Sequence, residues 1–186
     1  MTSSAKGELR PMPSDEERFN RLHDEHFESI RRYAWRREPA LADDIVSETF
    51  LVAWRRLDDV PDDAGPWLFG VARNVRLNLQ RSARRQQAVA QRLTVAEPSS
   101  EPPEPTESAN VRHALAGLPE RDREVLLLHA WEGLDRQQIA IVLGCSLSNA
   151  SVRLHRARRR FAAALAADDQ SHSLVPSTLG GASDVR

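Results

Sequence analysis

The chain has 186 residues, of which 40% are hydrophobic and 28% charged, and its formal net charge is −1. This composition excludes a membrane-spanning protein and a wholly disordered one, and the length allows one large domain or two small ones. A single cysteine, Cys145, excludes an intrachain disulfide, and residues 1–13 lack the apolar core of a secretory signal, so we expect a cytoplasmic protein. Strand-type alternation of apolar and polar residues is absent, which favours an all-α fold.

Three amphipathic helices are predicted after a polar leader, residues 1–15, that we expect to be disordered. Apolar residues spaced three and four apart predict a helix from Asp15, a second over about 42–57 and a third from Pro66 or Trp67. The stripes predicted to face the core are Phe19, Leu22, His26, Ile30 and Tyr33 in the first helix, Val46, Phe50, Ala53 and Leu57 in the second, and Trp67, Val71, Val75 and Leu79 in the third.

A proline- and glutamate-rich segment follows the third helix. Four of the eleven prolines fall between residues 94 and 110, with almost nothing apolar among them. Such a composition predicts a flexible acidic linker, which we place at 93–109. It separates a first domain, 16–92, from a second, 110–167, and a tail predicted to be disordered, 168–186.

The second domain has the pattern of a helix-turn-helix. Asp135 is placed to cap a short helix over 136–143, a tight turn follows at Gly144, and a longer helix begins near Leu147 or Ser148. The side chains that this last helix exposes beside its core stripe are suited to base edges and phosphates: Ser151, Arg153, His155, Arg156 and Arg159. A helical hairpin with a solvated arginine face is the alternative.

Charge is unevenly distributed along the chain. Residues 73–92 contain six arginines and no acid, and residues 145–167 contain five arginines and no acid. Residues 43–63 contain seven acids and two arginines. These segments indicate two different kinds of partner, which the net charge conceals.

Four strings in this order resemble the bacterial RNA polymerase sigma factors of the extracytoplasmic-function (ECF) group, within the sigma-70 family. They are ADDIVSETFLVAWR at 42–55, WLFGVARN at 67–74, LPERDREVL at 118–126 and LHRAR at 154–158. The resemblance covers about 19–92 and 110–165, and it implies two small helical domains like sigma regions 2 and 4. It also implies a division of labour, in which region 2 melts and reads the −10 element and region 4 reads the −35 element of a promoter.

The resemblance implies that core RNA polymerase, through its clamp and flap, and promoter DNA are the partners, and many members of the family also bind an anti-sigma factor. The residues predicted to contact core polymerase lie on the second helix and are Asp44, Ser47, Glu48 and Leu51. Their mixture of acids with one exposed leucine suits a protein interface, and a solvated acidic face is the alternative. The family usually has glutamine at the position of Ser47.

For the −10 element, the resemblance places Asn74 near the pocket for a flipped base, where an amide can bind a base edge. Arg73, Arg76 and Arg81 are the predicted backbone contacts, and Trp67 is either a core residue, which we favour, or a stacking platform. For the −35 element, the family's reading positions fall on Ser151, His155 and Arg156. Asn149, which replaces the usual threonine, completes the predicted recognition-helix set.

Two other functions, a stand-alone DNA-binding regulator and an adaptor protein, are the alternatives to a sigma factor. A stand-alone helix-turn-helix regulator predicts operator binding without polymerase, and an adaptor protein predicts no DNA binding. No glycine-rich phosphate loop or nucleophile elbow is present, so we predict no enzyme and no cofactor. His23 and His26 lie on or beside the apolar stripe, so we predict structural roles for them and no metal.

Overall fold

The computed structural model describes residues 13–90 and 107–173, with side chains for 13–86 and 110–167. Most of the predicted leader, linker and tail therefore lies outside the described residues. The chain divides into two compact units, residues 1–93 and 94–186, and every element assigned in their described parts is helical. This confirms the all-α prediction.

Three long helices form the first unit: α1 (Asp15–Arg37), α2 (Ala42–Arg55) and α3 (Ala64–Ala90), with single turns of 3-10 helix at Pro39–Leu41 and Leu57–Asp59. A capping box begins α1, in which the Ser14 hydroxyl accepts from the Glu17 amide at 3.2 Å and the Glu17 carboxylate accepts from the Ser14 amide at 2.9 Å. On the exposed face of α1, two hydrogen bonds from Arg31 lower the pKa of Glu28.

The core of the first unit lies where α2 and α3 pack against α1 and against each other. The predicted stripe of α2 is buried, and in the α1 stripe Leu22, Ile30 and Tyr33 are buried while Phe19 and His26 are half-buried. On α3 Val71 is buried as predicted, whereas Trp67, Val75 and Leu79 are only half-buried. Since α3 contacts two helices, it buries a wider face than one stripe, which includes Leu68, Phe69, Val71 and Ala72.

Four helices form the second unit: α4 (Glu107–Ala116), α5 (Glu120–Ala130), α6 (Arg136–Leu143) and α7 (Leu147–Ser173). The other three helices all pack on α7, which buries Ala150, Leu154 and Ala157 against them. The end of α7 lies beyond the predicted boundary at 167, because the alanine-rich stretch 162–167 favours helix and no proline or glycine follows before Pro176.

Candidate functional site

The predicted polymerase-binding residues share the solvent face of α2. Asp44, Ser47, Glu48 and Leu51 are all exposed, and Leu51 retains 44% of its accessible surface. The opposite face of the helix is buried, and there the Thr49 hydroxyl donates to the Ile45 carbonyl at 2.6 Å. The four side chains therefore form one continuous acidic and apolar surface, which we call the α2 face.

Trp54 extends the α2 face and is absent from the sequence-based set. Its side chain is 47% exposed, and its ring meets the Phe19 ring edge-on at a centroid distance of 5.2 Å. Trp54 also borders a cavity of about 480 Å³ that Asp58 and Asp59 help to line. Its spacing of three residues from Leu51 is the signal that places both on one helix face.

The predicted −10 residues lie along α3 with unequal exposure. Asn74 and Arg81 are exposed, and Arg81 donates to the Asn78 side chain at 3.2 Å. Arg73 and Trp67 are half-buried, and the Arg56 guanidinium lies 5.7 Å from the centre of the Trp67 ring. Trp67 thus retains an accessible ring while it packs on the unit.

Arg76 does not share the environment of these residues. It is only 5% exposed and donates to the Gln80 side chain at 3.4 Å, and Gln80 in turn donates to Glu38 at the end of α1. A buried guanidinium that joins α3 to α1 is poorly placed to bind a phosphate. We therefore leave Arg76 out of the DNA contacts proposed below.

In the helix-turn-helix, a capping box begins α6 and a glycine in the left-handed conformation ends it. The Asp135 carboxylate accepts from the Gln137 and Gln138 amides at 2.7 and 2.8 Å, and the Gln138 side chain accepts from the Asp135 amide, which completes a capping box for α6. Gly144 ends α6 with φ +60°, and the Cys145 amide donates back to the Ala140 carbonyl at 3.0 Å.

The predicted −35 residues all lie on α7 outside its buried stripe. Asn149, whose amide donates to the Ser146 hydroxyl at 3.2 Å, begins the series in the first turn of the helix. Four of the six are exposed and two are half-buried: Asn149, His155, Arg156 and Arg159 belong to the first group, and Ser151 and Arg153 to the second. Outside its buried stripe, the surface of α7 is thus mainly polar and cationic.

A cavity of about 410 Å³ adjoins this face. Ser151 and His155 line it from α7 together with Arg158, and His129 and Arg136 line it from α5 and α6. His129 and Arg158 are absent from the sequence-based set. Arg158 is recognisable from its spacing of three and seven residues from His155 and Ser151, whereas nothing local in the sequence indicates His129.

Neither a cluster of metal ligands nor a membrane-spanning helix occurs in the described part of the chain. Among those residues, no three histidine, cysteine, aspartate or glutamate side chains come together as metal ligands. None of the helices there is both long and apolar enough to cross a membrane.

Comparison with known proteins accounts for both units. A family model for sigma-70 region 2 matches residues 21–86, and one for sigma-70 region 4 matches residues 108–161. The ECF RNA polymerase sigma factor SigL of Mycobacterium tuberculosis is 36% identical over an alignment of 147 residues, which covers 74% of this chain and 83% of SigL. The chain belongs to the ECF sigma factors. This membership confirms the family predicted from the sequence.

Other sigma factors support this family membership. The RNA polymerase sigma factor CnrH of Cupriavidus metallidurans is 33% identical over 143 residues, covering 69% of this chain and 75% of CnrH. The solved structure of CnrH with the cytosolic domain of CnrY matches 81% of this chain and 88% of that chain, with TM-score 0.55 and 29% identity. RpoE of Bartonella quintana, in complex with the anti-sigma factor NepR, matches with TM-score 0.62 at 22% identity, which shows the fold alone; the match covers 81% of this chain and 98% of that chain.

Sigma factors are non-enzymatic initiation factors, and an ECF sigma factor directs RNA polymerase to promoters. This chain is therefore a promoter-directing subunit whose partners are core RNA polymerase and promoter DNA. The match over both regions supports this role rather than the stand-alone regulator or the adaptor.

Proposed function

We propose that this ECF sigma factor divides its contacts among three helix faces. The α2 face binds core RNA polymerase, α3 contacts the −10 element, and α7 contacts the −35 element. The observation that carries this proposal is the segregation on α7. Its buried residues Ala150, Leu154 and Ala157 pack into the second unit, while its predicted recognition residues lie at or near the surface.

On α7, the chemistry of the exposed side chains supports base recognition. Arg156 is exposed one position before the buried Ala157, and a guanidinium there can bind a guanine edge through two hydrogen bonds. His155 and Asn149 supply further donors and acceptors, and Arg159 and Arg153 suit phosphates. The departure from the usual family residue at 149 bears on which sequence is bound.

On α3, Asn74 provides the amide for an unstacked base, and Arg73 and Arg81 provide charge for the strand backbone. The aromatic ring of Trp67 lies seven residues before Asn74, on the same helix. This assignment omits Arg76.

We further propose that residues 16–92 and 110–167 act as the two functional domains and that 93–109 links them. The chain performs no catalysis itself and acts in the cytoplasm, where RNA polymerase works. An anti-sigma protein is a candidate partner, since the RpoE structure is a complex with the anti-sigma factor NepR.

In vitro transcription tests the proposal. The purified chain is added to sigma-free core polymerase and a fragment library of its own genome, with core polymerase alone as the control. We expect discrete start sites that share an upstream pair of motifs. Specific duplex binding without transcripts, or neither activity in the presence of active core, contradicts it.

A further inference from the structure

His129 connects three parts of the second unit. It lies near the C-terminal end of α5 and is half-buried. Its Nδ1 lies 2.8 Å from the Leu134 carbonyl in the connection between α5 and α6, and its Nε2 lies 2.5 Å from Nη2 of Arg158 on α7. One imidazole therefore contacts the approach to α6 and the helix that carries the −35 residues.

These contacts select one protonation state of the ring. A carbonyl oxygen only accepts, so Nδ1 must carry the hydrogen that it donates to Leu134. A guanidinium only donates, so Nε2 must be unprotonated to accept from Arg158. Both contacts exist together only in the neutral Nδ1–H form.

Most of the charged groups around His129 are cationic. Arg136, Arg158 and His155 line the same cavity, and Asp135 supplies the one carboxylate there. That carboxylate already accepts two backbone amides as the cap of α6. A proton on Nε2 would face the Arg158 guanidinium directly, with a donor opposite a donor and like charges in contact.

Arg158 lies on the functional face of α7. It is exposed, and it shares the cavity wall with Ser151 and His155, which are predicted to contact the −35 element. Holding an exposed arginine in one place lowers the entropy that DNA binding would otherwise cost.

We propose that His129 is a positioning residue for promoter recognition: when neutral, it holds Arg158 beside Ser151 and His155, and its protonation releases that arginine. The proposal rests on the proposed role of α7. Histidine is the side chain that ordinarily changes charge between pH 5 and 8. Discrimination between promoter and random DNA is therefore fullest at the alkaline end and is lost as the pH falls.

Two isosteric variants of the full chain test this. In H129Q the side-chain oxygen reaches the position of Nε2 and accepts from Arg158 without titrating. In H129N the amide nitrogen occupies the position of Nδ1, which keeps the bond to Leu134 and removes the acceptor for Arg158. The probes are a duplex with the −35 motif found by the transcription experiment and a scrambled duplex of equal length, and the readout is the ratio of their Kd values at pH 8 and pH 5.5.

The ratio, rather than the Kd itself, is needed because protonation of any surface histidine strengthens binding to a polyanion. At pH 8 we expect the same ratio of Kd values for wild type and H129Q. For H129N we expect a ratio that is lower by several-fold, up to about tenfold, because it lacks one hydrogen bond to a charged group at an exposed site. On acidification, wild type should approach H129N while H129Q changes less. His155 is unchanged in all three chains.

Thermal unfolding of all three chains controls for folding. If H129N equals wild type at pH 8, or if wild type and H129Q have the same pH profile, the proposal is wrong. If wild type shows no preference for the motif, the role of α7 fails instead. In that case, the NMR titration of the His129 ring nitrogens still decides the local claim, since the Nδ1–H tautomer is required and an Nε2–H tautomer overturns it.

Discussion

Three arginines of α3 were predicted to contact promoter DNA, yet they occupy different environments. Arg81 is exposed, Arg73 is half-buried and Arg76 is buried against Gln80. The side of the helix that carries each arginine therefore determines how exposed it is. At Arg76, the link through Gln80 to Glu38 joins α3 to the end of α1.

The charges of the α2 face should strengthen binding to core polymerase. Replacing both Asp44 and Glu48 with alanine removes two exposed carboxylates, and we expect a loss of about two- to thirtyfold in affinity, because charges at the rim of an interface each contribute about 0.2–1 kcal/mol. Fluorescence anisotropy with labelled protein and core enzyme measures it. The matched control is Glu16→Ala, an exposed glutamate on α1, which should bind as wild type; equal binding by the double variant would disprove the interface.

Arg156 should contribute to sequence discrimination. We expect Arg156→Ala to weaken binding of a duplex with the −35 motif by about 1–3 kcal/mol, since a bidentate arginine–guanine contact is worth that much. Binding to random duplex should change far less. Arg121→Ala, which removes an exposed arginine from α5, is the control. An equal loss on both duplexes would make Arg156 a phosphate contact.

At the scale of elements, the turn between α6 and α7 depends on one backbone conformation. Gly144 has φ +60°, and a Cβ built on it meets no atom within 4 Å. A substitution therefore costs backbone strain and no steric clash. At Gly117, by contrast, the backbone is not left-handed. A Cβ there makes ordinary contacts of 3.7 and 3.8 Å with the carbonyl oxygens of His113 and Ala114.

We expect Gly144→Ala to destabilise the second unit by about 1–2 kcal/mol, the cost of a left-handed conformation for a residue with a Cβ. Gly117→Ala should leave stability nearly unchanged. Hydrogen exchange of the α6 and α7 amides in the full chain separates this effect from unfolding of the first unit. Equal protection in the two variants would show that the turn tolerates a side chain.

At the scale of the whole molecule, DNA contacts from two units should add. Each phosphate neutralised by an arginine contributes about one to the slope of log Kobs against log salt. Arg81 and Arg159 lie in different units. We therefore expect Arg81→Ala and Arg159→Ala each to lower the slope for holoenzyme binding to promoter DNA by about one, and the double variant to lower it by about two. Arg21→Ala on α1 is the control, and an unchanged slope in the double variant would remove both contacts.

Much of the architecture follows from local patterns. The spacing of apolar residues placed α1 and α2, the capping residue Asp135 placed the start of α6, and Gly144 placed its end. The strings at 42–55 and 67–74 carried the resemblance to sigma factors, which the relatives confirm. These features are predictable because helix periodicity, caps and glycine turns depend on residues that are close in sequence.

Tertiary packing decided the rest, because burial depends on neighbours that are distant in sequence. Since α3 packs on two helices, its buried face extends beyond one stripe and includes Arg76. Trp54 stays half exposed beside Phe19, although a tryptophan on an amphipathic helix ordinarily suggests core. His129 and Arg158 are 29 residues apart, and only the packing of α5 against α7 brings the imidazole to the guanidinium.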